Sequence, residues 1–419
     1  MANHKSKNIK YIVLAGILVI NTVLLGLYFF GPFKQGTVED AGFTLDTEDL
    51  KYIEGGNLDF GDITNFFVNL AEEKDAEYAM NLLIYATGNN ILPSGIDTHL
   101  LGHSVADVLY KQRGLEGIDV CTHDLRNACS HSIVIGTLLE RGVGALEDIA
   151  EICRNAPGGK GAYTMCFHGL GHGVLAFAEY ELEDAIVLCE KTGTTEYGNR
   201  EYVECVGGAV MEMMAGIHDR ELWLEKKDKY LSADDPLSPC NKDIIPKEAK
   251  GMCYTYLTPH LIEIVGGDLG NPSSESIEKA MAFCELLPTS THKEDRNTCF
   301  SSFGKEFIAM VNGRNVQNIG DMSDDKLQKI YDLCQLVNDK EGVRYCLSSA
   351  LTSLYWGGEN RPGASIRFCS LMPKQDEKDF CFTNMFGMVR YYVDDITYRK
   401  DICLGVPETF NIQCQDVLL

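Results

Sequence analysis

Residues 145–180 read ALEDIAEICRNAPGGKGAYTMCFHGLGHGVLAFAEY, and this stretch decides the fold. Its first part sets Leu146, Ile149, Ala150 and Cys153 at three- and four-residue intervals, with Glu147 and Asp148 near the front. That is the pattern of an amphipathic helix whose acids sit at the positive end of its dipole. The middle part, RNAPGGKGAYTM, carries the Asn, Pro and Gly of a turn between Cys153 and Cys166. The last part, CFHGLGHGVLAFAEY, is a second apolar helix. Helix A ends at a cysteine, a loop of about ten residues follows, and helix B opens at the next cysteine. The unit is a helical hairpin.

The unit recurs in both directions. Sixteen cysteines fall into consecutive pairs: Cys121/Cys129, Cys153/Cys166, Cys189/Cys205, Cys240/Cys253, Cys284/Cys299, Cys334/Cys346, Cys369/Cys381 and Cys403/Cys414. LEDAIVLCE, SIEKAMAFCELL and KLQKIYDLCQLV repeat helix A; CVGGAVMEMMAGI, CYTYLTPHLIEIV (from Cys253), CFSSFGKEFIAMV and CLSSALTSLYW repeat helix B. First cysteines recur at 32, 36, 51, 44, 50, 35 and 34 residues, which suits an irregular array better than a strict consensus repeat. The expected fold is all-α, an irregular α-solenoid of disulfide-stapled hairpins. An even cysteine count in adjacent pairs points to disulfides and an oxidising compartment. Adjacency suggests pairing within each hairpin, and spacing alone leaves bridges between repeats open. Each bridge would contribute about 3 kcal/mol on a chain-entropy model.

In plan these hairpins resemble cysteine-rich Sel1-like and tetratricopeptide-like helical repeats. The resemblance covers most of the chain after residue 58 and implies a binding scaffold. The repeat length and cysteine separation depart from that family, and its alanine/glycine signature is not clear.

The N-terminus has a different character. Tyr11 to Phe30 (YIVLAGILVINTVLLGLYFF) is uncharged over the thickness of a bilayer core, with Lys5, Lys7 and Lys10 before it and Glu39 and Asp40 after it. The expected order is a cytoplasmic N-terminus (1–10), an uncleaved transmembrane anchor (11–30), an acidic stalk (31–57) and an extracytoplasmic helical-repeat domain (58–419). Within that domain, 58–180 carries histidine-bearing hairpins and 181–419 further disulfide hairpins. The protein is thus read as single-pass, with its C-terminal domain outside. A formal charge of −24 repels phosphate backbones and excludes nucleic acid as a partner. The expected partners are the membrane, through the N-terminal helix, and a protein on the solenoid surface.

Aligning the hairpins on their second cysteine exposes a histidine ladder. Two residues on stand His131 and His168; six residues on stands His172. Superposing HLLGH on HGLGH puts Asp97 at the cysteine position, so His99 and His103 fall on the same rungs. Residues four apart share a helix face, and packed helices lie about 8–10 Å apart. His99, His103, His131, His168 and His172 are therefore expected to converge as ligands of zinc, copper or iron, with haem a weaker alternative. A position in the first two turns of helix B would disfavour imidazolium and keep the rings available. Asp97, Asp107, His123 and Glu179 are candidate outer partners.

The glycines Gly102, Gly169, Gly171 and Gly173 imply a close neighbour: a helix, a flat cofactor or a substrate. A dinuclear site would resemble the ligand arrangement of type 3 copper proteins and would need His218 or His123 as a sixth ligand. Met211, Met213, Met214 and His218 could suggest copper handling, but the methionines read first as a core helix. HExxH, GxSxG, CxxCH, P-loop and Rossmann patterns are absent, so no reaction is named. The competing reading is a non-enzymatic surface scaffold whose histidines are structural.

Overall fold

Helix starts are written in short polar side chains. Asp59 accepts from the Asp62 N–H and Asp62 answers it, a capping box ahead of α2 (Phe60–Glu73). Asp75 caps α3 (Ala76–Gly88), and Asp97 caps α4 (Thr98–Arg113) by accepting from Leu100 N. In this computed structural model the described residues are 47–419, apart from 56–57, 90, 94–95, 123, 157–158, 193–199, 270–271, 314–318 and 358–361. Among them the regular structure is helical, with no strand. Thr47–Leu419 forms one unit. The expected cytoplasmic segment, anchor and most of the stalk lie outside the described residues, and no described helix is long and apolar enough to cross a membrane. The end of the expected stalk is not loose: α1 (Thr47–Gly55) is helical, and Tyr52 stacks on Phe66 at 4.7 Å.

Helix A of each hairpin buries one stripe; the B helices at the centre of the histidine-bearing region are buried over most of their surface, whereas those near the C-terminus bury one face. In α6 (Leu146–Arg154) the buried residues are Leu146, Ile149, Ala150 and Cys153. In α5 (Ala128–Arg141) and α7 (Gly159–Phe177) most of the surface faces protein. The series continues with α8 (Leu182–Glu190), α9 (Arg200–Ala215), α10 (Arg220–Lys226), α11 (Lys250–Tyr256), α12 (Thr258–Ile264), α13 (Ser274–Cys284) and α14 (Lys293–Val311). It ends with α15 (Asp324–Cys334), α16 (Lys340–Gly357), α17 (Gly363–Leu371), α18 (Gln375–Tyr392), α19 (Ile396–Gly405) and α20 (Glu408–Leu418). The B helices α4, α5, α7, α9, α11, α14, α16, α18 and α20 pack each on the next, while α6, α8, α13, α15, α17 and α19 pack on the B helix of their own hairpin.

All eight cysteine pairs are bonded within their hairpins, with Cα atoms 5.4–5.6 Å apart. Cys153, Cys189, Cys284, Cys334, Cys369 and Cys403 lie in the last turn of helix A, as expected. The second cysteines correct the sequence reading. Cys166, Cys299, Cys346, Cys381 and Cys414 lie about two turns inside helix B rather than at its start. A disulfide needs two backbones already running side by side, so it forms beyond the chain reversal. Much of the expected loop is therefore the front of helix B; α7 begins at Gly159, inside RNAPGGKGAYTM.

The Cys240–Cys253 hairpin departs furthest from the expected plan. Its bond is present, but Cys253 does not open one long helix B. It lies one turn inside the short α11, and the expected helix CYTYLTPHLIEIV is broken at Leu257 into α11 and α12. Pro259, in the first turn of α12, is the cause: it has no N–H to donate, and its ring crowds the carbonyl four residues back. Its partner Cys240 lies in a turn-rich segment and Cys121 follows a 3₁₀ turn, so in those two hairpins no α-helix ends at the first cysteine.

The interface between α7 and α9 is unusually close. A Cβ on Gly171 of α7 would stand 2.0 Å from the Cys205 carbonyl oxygen of α9, and one on Gly208 would stand 1.9 Å from the His168 carbonyl oxygen. The two facing glycines leave room for that backbone approach. The closeness implied by HGLGHG is thus supplied by a neighbouring helix. Gly171→Ala is expected to lower the stability of the full chain by about 1–3 kcal/mol, the range for overpacking. Gly387→Ala, mid-helix with nothing within 4 Å of the added carbon, is expected to raise it by about 0.5–1 kcal/mol. Urea unfolding midpoints of the two variants check both signs.

Candidate metal centre

Helices α4, α5 and α7 bring all five expected histidines together. Ring centroids are 4.7 Å apart for His99–His103 and 5.2 Å for His168–His172, the two same-helix pairs. His131 lies between them, 5.9 and 5.7 Å from His99 and His103 and 6.1 and 6.0 Å from His168 and His172. A Cβ on Gly169 would meet the His131 ring at 2.5 Å, so that glycine makes room for the central imidazole. His218 completes the cluster, 6.2 Å from His103 and 5.8 Å from His172. It is the ring that the sequence offered as a sixth ligand; the other, His123, lies outside the described residues.

The partners of His99 and His103 indicate where each of these rings carries its proton. His99 Nδ1 is 2.7 Å from the Leu125 carbonyl oxygen. A carbonyl only accepts, so the proton is on Nδ1 and the Nε2 lone pair is bare. That carbonyl is aimed by an unusual turn: Leu125, Arg126 and Asn127 have φ of 53°, 54° and 63°, consecutive left-handed residues without a glycine. His103 Nδ1 is 3.0 Å from Ser132 Oγ, whose hydroxyl donates to the His103 carbonyl at 3.2 Å. Ser132 thus accepts from Nδ1–H, and the His103 Nε2 lone pair also points inward. The two Nε2 atoms are 3.3 Å apart, about the edge of a tetrahedron with metal–nitrogen bonds of about 2.0–2.1 Å. His131, 2 % exposed, has no hydrogen-bond partner on either ring nitrogen among the described residues. One ligand nitrogen from each of His99, His103 and His131 falls within a mutual 4.8 Å.

On the far side Glu212 is the anchor. It is fully buried in α9. Its Oε2 accepts from His172 Nδ1 at 3.0 Å and from His218 Nδ1 at 2.8 Å. Its Oε1 accepts from the Tyr180 hydroxyl at 2.6 Å and from the Ile217 and His218 backbone N–H at 2.8 and 2.9 Å. Tyr180 in turn accepts from Asp219 N, and it sits at φ 59° just past the end of α7. Burial pushes the Glu212 carboxyl up, but the hydrogen bonds and charges of His172 and His218 outweigh it and hold it well below the usual carboxylate range. Burial pulls His218 down, but Glu212, with Asp107 assisting, holds it above the usual imidazole value. His172, Glu212 and His218 form a second group with ligand-grade atoms within a mutual 4.8 Å.

Burial keeps the other rings neutral, and His99, His103 and His131 also lie in the first two turns of α4 and α5, as expected. His168 and His172 lie deep in α7 rather than in its first two turns. Desolvation pushes His99 down to about 4 and holds His103, His131 and His168 well below the ordinary value; it also lowers His172, against the pull of Glu212. Of the outer partners expected from sequence, Asp97 is a helix cap, Asp107 lies beside Ser132 and His218, and Glu179 is exposed and outside the cluster. Glu212 and Tyr180 were missed. The available signal was a single acid inside the apolar run CVGGAVMEMMAGI.

No protein-family model, curated protein or solved structure matches this chain.

The lowered histidines make a pH prediction. Unfolded, they take up protons below about 6.5; folded, they stay neutral until the pH falls well below that, near 4 for His99. The unfolded state therefore binds more protons between those values, and stability present above pH 6.5 is lost as pH falls. The raised His218 contributes with the opposite sign, as one group against five. The thermal midpoint is expected to fall steadily from pH 7 to pH 4.5, and His131→Gln is expected to flatten that slope.

Proposed function

We propose that this chain is a membrane-tethered, extracytoplasmic α-solenoid of disulfide-stapled hairpins that binds a transition-metal ion through His99, His103 and His131. The observation that carries the metal reading is His131. A neutral imidazole has one N–H to donate and one lone pair to satisfy, and burying either unmade costs about 1–3 kcal/mol. Both are buried and unpartnered here, at the centre of four other imidazoles. A cation among His99 Nε2, His103 Nε2 and His131 satisfies three facing lone pairs at once. The hydrogen bonds from His99 to Leu125 and from His103 to Ser132 are the outer contacts that orient metal-binding histidines. Three neutral nitrogens suit zinc or copper. Haem is disfavoured because helix α9 and the His131 ring fill the spaces beside Gly171 and Gly169.

The tether rests on the uncharged 11–30 run and the lysines before it. Bonding of every described cysteine pair supports an oxidising compartment. The row of packed B helices supports the solenoid reading and the likeness to Sel1-like and tetratricopeptide-like repeats.

A second reading, a scaffold without metal, draws support from the His103–His99 contact at 3.3 Å. Turning the Ser132 hydroxyl toward His103 Nδ1 would let His103 Nε2–H donate to His99 and close a purely structural chain. Elemental analysis of the full-length chain in detergent, stripped by chelation and reloaded with Zn(II) or Co(II), separates the two. One equivalent per chain is expected, weakened about 100-fold or more in His99→Ala and His131→Gln and unchanged in His292→Ala, whose ring is exposed. A folded chain that refuses zinc, cobalt and copper overturns the metal reading.

A further inference from the structure

The first group has a simple construction: a same-helix histidine pair four residues apart, and a third ligand from the next B helix in the row. The same construction recurs further along. His168 and His172 are the pair on α7, with ring centroids 5.2 Å apart at 75°, against 4.7 Å and 83° for His99 and His103. The next B helix is α9, and the residue it presents is Met211. Its Sδ lies 3.4 Å from His168 Nε2.

We propose that His168, His172 and Met211 form a second metal position, and that its thioether makes it selective for Cu(I). Three observations converge. His172 Nδ1 is committed to Glu212 Oε2, so its Nε2 lone pair is bare. His168 Nδ1 is turned to Glu204, whose backbone carbonyl interacts with the ring and whose Oε2 lies 3.7 Å away. A proton on Nδ1 faces that carboxylate, which leaves the Nε2 lone pair toward Met211 Sδ. Two electron-pair donors then face each other 3.4 Å apart, about the separation of nitrogen and sulfur on one tetrahedral ion. The methionines of this helix thus divide. Met213 and Met214 are buried core, as the sequence reading held for all three, whereas Met211 is only partly buried and turns to His168.

Thioether and imidazole together are a soft set that favours Cu(I) over Zn(II). All described cysteines are in disulfides, so no thiolate is present to take a soft ion instead. Met211 also gives the position its access to solvent, since His168 and His172 are 1 % and 4 % exposed. This position stands beside the His99/His103/His131 site and does not depend on it.

The test is an anaerobic titration of the full-length chain with Cu(I) against a chromophoric chelator, repeated with Ag(I) as a redox-inert probe and with Zn(II). A Cu(I) and Ag(I) equivalent is expected at a position Zn(II) does not fill. Met211→Leu, close in volume, is expected to weaken that equivalent at least about tenfold and to leave Zn(II) binding unchanged. Met214→Leu is expected to change neither. X-ray absorption at the copper edge is expected to show one sulfur neighbour, lost in Met211→Leu. Cu(I) binding that is unaltered by Met211→Leu, or a copper site without sulfur, overturns this position and leaves the zinc site standing. Zinc binding lost from a chain that keeps the methionine-dependent Cu(I) equivalent overturns the first site alone, and a chain that binds none of the three ions overturns both.

Discussion

The contact between Gly171 and Gly208 governs everything around the histidines. Two helices that meet at backbone distance cannot slide or tilt without collision, because close-packed interiors have no slack to absorb it. Helix α9 is thereby fixed against α7 at the height where Glu212 reaches His172 and Met211 reaches His168. An additional methyl group at the crossing would separate the helices and part both pairs. The same backbone approach recurs between α14 and α16, where a Cβ on Gly304 would lie 2.0 Å from the Cys346 carbonyl oxygen. There the ladder rungs hold Ser301 and Lys305 in place of histidine. The crossing is a structural device of the repeat, and the histidine-bearing hairpins have placed chemistry on it.

Much of this was legible in the sequence. The hairpins follow from helical spacing broken by turn residues. The disulfide pairs follow from adjacency, and the five-histidine cluster follows from aligning hairpins on their second cysteines. Each of these signals is periodic, and periodicity survives tertiary context. What was not legible is aperiodic. No local rule says that a chain will turn left-handed over Leu125–Asn127, because only Asn127 of the three favours that region; the surrounding packing imposes it on the others. Tyr180 and Glu212 meet across 32 residues of chain, and only the folded path brings them together. The front edges of the B helices were misplaced because polar stretches, glycine-rich in α7 and charged in α14 and α18, read as loops. A helix held by packing and by a bridge tolerates such residues. The break after Cys253 had a local signal in Pro259, which the apolar spacing around it outweighed.

The cluster is also an electrostatic inversion of the whole. A chain of net charge −24 encloses a region where neutral rings outnumber charges, with one ionised carboxylate, Glu212, satisfied by five donors. Burial of that single charge is sustained by hydrogen bonds on both of its oxygens, the condition under which an interior carboxylate persists. It organises His172, His218, Tyr180 and the start of α10 at once, so the polar interior on this side acts as one connected unit.

The left-handed turn that aims the Leu125 carbonyl lies within the ring closed by Cys121 and Cys129, the shortest of the eight, with a sequence separation of 8. A chain held in so small a ring has few conformations left to sample, so much of the entropy that the unfavourable turn would otherwise lose is already removed by the sulfur bond. Closing this sulfur bond therefore does more than brace a hairpin. By closing one small loop it sets the direction of the His99 imidazole on the neighbouring helix.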